Sequence, residues 1–488
     1  MMLSRLSTKL PVAPYFRRQY LSLLVPDVLD QGLRLRSAGT ASKRRSTTGA
    51  SNLFNPTEEH QQLREMVRSF VENEVDPQAL QYNRDEKFNA EAFERLGELG
   101  LLGVTVAPQY GGSGMDASAA CIVHEELSAA DPALCLSYLG KCTHSMLFVN
   151  NLEQNGSDEQ RSRFLPSACE GSTIAGMCMS EPGAGTDVFG MTTKAVPSPD
   201  RSSFKIDGAK MWITNGTTDG LTTGDVFLVY ARTGPGRPDV SMFIVEKGMP
   251  GFELGQKIEG KCGMRASMTA ELVFDGVEVG RENLVGDENR AMLCMMRNLE
   301  IERVTLAAMG VGIASRRCIE AMNTYGKERK AFGSPINSFG QIQKHIADSY
   351  AEYMAGKHYV YAVAANLDLS STGNGLDADG TKLYCTTMAK NVADRAMQVL
   401  GGYGYCDEYQ VERLWRDAKL LEIGGGTLEA HHKNMVSQPV LRTVASSEFQ
   451  SCAFVSLGCL RQLVAPTVAS DDMSGIGFVI NKCSASIR

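Results

Sequence analysis

Residues 299–312 read LEIERVTLAAMGVG. Wound at about 3.6 residues per turn, the stretch puts Leu299, Leu306 and Gly310 on one side, with Glu302 among them. A carboxylate on an apolar stripe is costly unless it is paired, exposed at a helix end, or used. Glu302 is therefore either a misplaced surface charge or a buried base, and burial would raise its pKa into the range that suits proton abstraction. Three glycine turns accompany it: SEPGAGTD at 180–187, QVLGGYG at 398–404 and IGGGTLE at 423–429. Backbone amides in such turns can approach an anionic or carbonyl-rich ligand closely. None has the GxGxxG spacing of a dinucleotide fold or the GxxxxGK[ST] of a P-loop. A nicotinamide dehydrogenase of the usual kind and an NTPase are both disfavoured.

Three kinds of segment must position these groups. An N-terminal helical domain over 51–175 is expected to open with Asn55 as N-cap, Pro56 at the first helical position and Glu58 in the first turn. Helical spacing of Leu63, Met66, Val67, Phe70 and Val71 follows, then patterns over 93–102, 117–130 and 151–165, with a tight turn at YGGSG (110–114). From 176 to 290 short alternating segments predict a central antiparallel β-domain, and Asp207-Gly208 and Asn215-Gly216 read as two-residue hairpin turns. Long periodic stretches at 292–325, 341–367 and 377–400 predict a C-terminal four-helix bundle over 291–436. The tail, 437–488, has no clear periodicity.

The first fifty residues carry nine Lys or Arg against Asp27 and Asp30, with frequent Ser and Thr and no long apolar run. That is the composition of a mitochondrial transit peptide, which places the mature protein in the matrix; a basic tail is the alternative. Without this segment the body has 40 basic and 54 acidic residues, a net charge near −14 that argues against nucleic acid as a partner. The 13 cysteines show no CxxC or zinc-ligand spacing, so no metal is expected. No uninterrupted apolar run is long enough for a transmembrane segment.

Five ordered motifs together resemble the acyl-CoA dehydrogenase family: MSEPGAGTD (179–187), KMWITNG (210–216), ERKAFG (328–333), QVLGGYGY (398–405) and RDAKLLEIGGGT (416–427). The resemblance runs from about 55 to 436 and implies the same three-part α, β and four-helix-bundle fold. Within the family, YGGSG and KGMPGF (247–252) look most like the isovaleryl-CoA dehydrogenase branch.

The resemblance implies FAD. Met177, Met179, Ser180 and Thr186 would line one flank of the isoalloxazine, with Trp212, Ile213 and Thr214 on its other side. Arg329 would meet the pyrophosphate, where a delocalised cation suits phosphate geometry. Phe332 and the turn of Gln398, Val399, Leu400, Gly401 and Gly402 would reach the cofactor across a dimer interface of a homotetramer. Thr427 and Glu429 would contact FAD in their own subunit. Most family members carry the base in a turn resembling IYEGT, where this chain has Gly425. The isovaleryl and long-chain branches instead place it on a helix, at the position matching Glu302.

The Gly425 N–H is then an oxyanion donor, and loss of a side chain there is expected to leave room for the acyl chain. Glu300, Arg303, Thr186 and Gly426 would lie near the acyl-CoA substrate. The departures are a short insertion at 141–143, Gly340 followed by Gln341 where the branch has a glutamine on FAD, and Leu428 after the threonine.

These features imply FAD-dependent dehydrogenation of a short branched acyl-CoA, with electrons passed to an electron-transfer flavoprotein. The alternatives are a long-chain acyl-CoA dehydrogenase, a flavoprotein with a mainly assembly role, and an acyl-CoA oxidase. The oxidase is disfavoured because the sequence ends in Ser486-Ile487-Arg488 rather than an SKL-like signal.

Overall fold

A computed structural model describes residues 52–141 and 147–437 of the chain. The basic first fifty residues, expected to be a transit peptide, most of the 141–143 insertion and the tail beyond Ser437 lie outside the described residues. The N-terminal helices are α1 (Glu58–Phe70), α2 (Asp76–Asp85), α3 (Ala90–Glu98), α4 (Ala117–Ser128), α5 (Pro132–Lys141), α6 (Val149–Asn155) and α7 (Asp158–Glu170). The first cap falls two residues later than expected. Thr57, not Asn55, accepts from the His60 N–H, while the Asn55 side chain accepts from Arg64 Nε at 2.8 Å. The stretch read as one helix over 151–165 is two, because Gly156 is extended and Ser157 forms a reciprocal capping box with Gln160.

An eight-stranded sheet follows: β1 (Ala175–Cys178), β2 (Lys194–Pro197), β3 (Ser203–Thr214), β4 (Val226–Arg232), β5 (Val240–Glu246), β6 (Phe252–Lys257), β7 (Thr269–Gly280) and β8 (Leu284–Val285). Its order is β6-β7-β3-β2-β4-β5-β8, with β1 joined to β4. The sheet is mixed, since β1 and β2 each pair parallel with β4.

Neither expected hairpin turn exists. Asp207-Gly208 lies inside the continuous strand β3, opposite the second Asp-Gly pair at 275–276 of β7, where the register shifts. The Asp207 carboxylate accepts the Gly276 N–H at 2.9 Å, so the two dipeptides build a bulge instead of a reversal. Asn215-Gly216 ends β3 but leads to β4, which is not its sheet neighbour.

Strands β4 and β5 are buried on both faces. Leu228, Tyr230, Met242 and Ile244 pack with helices α6 and α7 and the start of α8, while Phe227, Val229, Phe243 and Val245 fill the opposite face.

The C-terminal part contains α8 (Ala291–Ile313), α9 (Ala321–Glu328), α10 (Gly340–Ala364), α11 (Gly375–Leu400), α12 (Val411–Leu421) and α13 (Leu428–Ser437), with a short pair β9 (Lys330–Ala331) and β10 (Ser334–Pro335). Helix α8 is its axis, and two glycines let its neighbours come close. A Cβ on Gly310 would lie 2.7 Å from the Cys385 carbonyl oxygen of α11, and one on Gly312 would lie 2.2 Å from the Glu125 carbonyl oxygen of α4. Among the described residues, no helix is long and apolar enough to cross a membrane.

Candidate active site

The second half of α8 is buried nearly all round, and Glu302 is buried with it at 6% exposure. Its Oε2 is enclosed and has no hydrogen-bond partner among the described residues. Burial drives the carboxyl up to about 7, with Arg303 and Lys382 pulling in the opposite direction. A carboxylate held near neutrality can take a proton at physiological pH and release it again.

The turn at 423–427 faces this group. Gly425 and Gly426 have φ of +64° and +94°, left-handed values that favour glycine. A Cβ built on Gly425 would lie 3.2 Å from Glu302 Oε1, 3.5 Å from Lys382 Cε and 2.3 Å from Leu306 Cδ1. The turn position and the helix glutamate therefore converge on one point. The same distances correct the expectation that Gly425 opens room for an acyl chain: Leu306 already takes the volume of a side chain there, with Glu302 and Lys382 packed around it. Among the described residues nothing accepts the Gly425 N–H; Gly424 N donates to Leu420 O at 2.8 Å and Leu428 N to Glu422 O at 3.3 Å.

A polar network braces the turn from behind. Lys382 Nζ donates to the Gly426 carbonyl at 2.6 Å, and His431 Nε2 lies 3.0 Å from the same oxygen. His431 Nδ1 meets Asp379, which also pairs with Arg303 Nη1 at 3.2 Å. Thr427 caps α13, its hydroxyl accepting the Ala430 N–H at 3.3 Å, and Glu429 is exposed in the first turn beyond. Glu300 points elsewhere: its two oxygens accept the N–H groups of Gly373 and Asn374 at 3.2 and 3.0 Å, at the start of α11.

The sheet brings a second set of residues to α8. Met177 of β1 packs in the same apolar cluster as Leu299, Met295 and Tyr230. Ser180 is tied to β3, its carbonyl accepting the Met211 N–H at 2.9 Å. Next to that bond the β3–β7 register shifts between Lys210 and Ile213. This bulge turns Trp212 outward at φ +66° and 59% exposure while Ile213 stays buried. Thr214 packs so closely on α5 that a Cβ on Gly140 would lie 2.4 Å from its methyl. The turn beyond Met179 and Ser180 is held by the buried pair Lys210–Glu181 at 2.9 Å, with Glu181 also accepting the N–H groups of Thr192 and Thr193. Thr186 stands exposed at its far end.

A cleft of about 730 Å³ gathers a third set: Arg329, Phe332, Gln341, Leu400, Gly401 and Gly402, with Val399 beside them. Gln341, not Gly340, faces it, and Gln398 is exposed outside its lining. Phe332 is 97% exposed at φ +52°, and Arg329 makes no ion pair among the described residues. A Cβ on Gly401 or Gly402 would meet no atom within 4 Å, and the same is true of Gly183 and Gly185. An unpaired guanidinium, open backbone and exposed aromatic faces form a donor set that fits a ligand with phosphates and a flat ring system, as FAD is.

Lys382, Asp379 and His431 were not anticipated from the sequence. A signal for Lys382 was present, because it shares a helical stripe with Cys385, Ala389 and Val392, the same anomaly that marks Glu302.

Comparison with known proteins matches residues 57–172 to the acyl-CoA dehydrogenase N-terminal domain, 176–277 to its middle domain and 290–440 to its C-terminal domain. A mitochondrial isovaleryl-CoA dehydrogenase of Solanum tuberosum is 39% identical over 385 residues, covering 78% of this chain and 89% of that protein. A mitochondrial 2-methylacyl-CoA dehydrogenase of the same plant is 38% identical over 374 residues, covering 75% and 87%. The structure of butyryl-CoA dehydrogenase from Megasphaera elsdenii superposes with a TM-score of 0.73 at 31% identity, covering 78% of this chain and 97% of that one.

Proposed function

The chain belongs to the acyl-CoA dehydrogenase family, an FAD-dependent enzyme by that membership, and from this premise we propose that it desaturates a short branched acyl-CoA with Glu302 as the base. The observation that carries this reading is the 3.2 Å between Glu302 Oε1 and the Cβ position of Gly425. A glutamate in the turn and a glutamate on α8 would deliver a carboxylate to one place, and this chain has kept the second. Bound FAD supplies the acceptor for the β-hydrogen, which leaves as hydride.

Glu302 takes the α-proton onto its carboxylate, for which a pKa near neutrality is suited. The free Gly425 N–H stabilises charge that develops on the thioester oxygen, and the bracing at Gly426 holds that amide in place beforehand. Met177, Met179, Ser180, Trp212, Ile213 and Thr214 hold the flavin ring. Arg329, Phe332 and the 398–402 turn hold cofactor from a neighbouring subunit of a homotetramer. Thr427 and Glu429 approach it within their own subunit. Thr186, Arg303 and Gly426 border the substrate. Glu300, whose oxygens are spent on the α11 start, orders the helix next to the site.

The branched substrate class is supported by the two plant relatives, whose names share a methyl-branched acyl group. Electron-transfer flavoprotein as acceptor and a matrix location after removal of the basic leader complete the reading.

Glu302→Gln tests the assignment. The variant is expected to stay yellow and to bind acyl-CoA, and to lose anaerobic flavin bleaching by isovaleryl-CoA. Bleaching at the wild-type rate would show that the base lies elsewhere. Steady-state rates across straight and branched acyl-CoAs test the substrate, and a preference for long straight chains would reject the branched class.

A further inference from the structure

Lys382 is fully buried, which is expensive for an ammonium unless its charge is used. Its Nζ donates to the Gly426 carbonyl at 2.6 Å, and its Cε lies 3.5 Å from the Cβ position of Gly425, from which Glu302 Oε1 lies 3.2 Å. The charges around it come from every neighbouring element. Glu302 and Arg303 face it from α8, Asp379 from its own helix, Glu422 from the end of α12, and His431 from α13.

Most of these are committed to other partners. Asp379 is held by Arg303 and His431. Glu422 pairs with Lys390 at 3.4 Å and Lys419 at 2.6 Å. Among the described residues, Glu302 is the anion left without an ion pair, and the Lys382 ammonium hydrogen-bonds to a carbonyl of the turn beside it and to no carboxylate.

We infer that Lys382 is a positioning residue of the proton-abstraction site: it clamps the Gly426 carbonyl so that the Gly425 amide and the Glu302 carboxylate keep their mutual placement, and its charge favours the ionised form of Glu302 over the protonated one. The inference rests on Glu302 being the base. A methionine of similar length would fill the space and do neither task. Burial pushes Glu302 up to about 7 and Lys382 down to about 8; Arg303 and then Lys382 draw Glu302 back toward its charged form, and Glu302 does the same for Lys382.

The test compares flavin-bound wild type with Lys382→Met and Lys382→Gln. Two quantities are followed against pH: kcat/KM for isovaleryl-CoA, and the infrared band of the protonated Glu302 carboxyl, assigned by its loss in Glu302→Gln. Removing the charge in either variant moves the acid limb and the band midpoint upward together, by about one unit, so that kcat/KM on the acid side falls roughly tenfold. Gln, still a donor to Gly426, recovers more of the high-pH plateau than Met. Midpoints unchanged from wild type in flavin-bound variants with wild-type melting would overturn the inference. If Lys382→Met does not fold, the midpoint in Lys382→Gln decides alone. Activity surviving in Glu302→Gln would instead strike the base assignment, a separate and distinguishable failure.

Discussion

Gly425→Ala should be a costly substitution for two separable reasons, and the structure says how to separate them. The backbone at 425 has φ +64°, where an L-residue loses about 1–2 kcal/mol. The added methyl would also stand 2.3 Å from Leu306 Cδ1, an overlap that forces repacking at about 1–3 kcal/mol. The expected total is about 2–5 kcal/mol. Leu306→Ala alone empties a buried site at about 2–5 kcal/mol, but in the double variant the new methyl enters the space that leucine left. The overlap cost disappears and the backbone cost remains. Equilibrium denaturant unfolding of the four proteins should therefore give a favourable coupling of about 1–3 kcal/mol. Strictly additive costs would refute the claim that Leu306 occupies the side-chain volume of position 425.

Glu302→Gln should stabilise the protein in alkaline but not in acid solution. The folded carboxyl titrates at about 7 against 4.5 for the free group, so between these values the folded state holds a proton that the unfolded state has released. Wild-type stability then falls as pH rises from about 4.5 to 7, by roughly 3 kcal/mol. Glutamine escapes the loss, and a stability difference that does not grow across that window would contradict a buried, proton-holding base. Arg329→Ala should weaken FAD binding roughly tenfold to a hundredfold, the loss of a charge-assisted phosphate contact. Because Arg329 has no ion-pair partner among the described residues, the melting of flavin-free protein should be unchanged. Undiminished flavin content after dialysis would remove Arg329 from the cofactor site.

The fold was legible because its signals are periodic and local. The apolar spacing of 292–325 and 377–400 predicts α8 and α11, and the structure has helices over Ala291–Ile313 and Gly375–Leu400. Turn chemistry was misread where it depended on pairing partners. Asp207-Gly208 has the residue types of a hairpin, but whether the strand reverses or bulges is decided by β7, which lies some seventy residues away and carries a matching Asp-Gly at 275–276. Likewise Thr57 rather than Asn55 caps α1, since Asn55 finds another partner in Arg64.

Glu302 was conspicuous in one dimension because a helix of known period turns a list of residues into a face, and a charge on an apolar face stands out without any partner being known. The family motifs likewise lie in short contiguous runs. What the chain order could not contain is coincidence in space. Glu302 and Gly425 are separated by two long helices, and only their packing puts a carboxylate oxygen 3.2 Å from the side-chain position that the glycine lacks. The same packing fills the apparent vacancy at 425 with Leu306 and brings Lys382, Asp379 and His431 behind the turn. Burial, which raises the carboxyl of Glu302 and lowers the ammonium of Lys382, is a sum over all the surrounding elements, so tertiary structure, not sequence, decides which charges on these helices are poised to act.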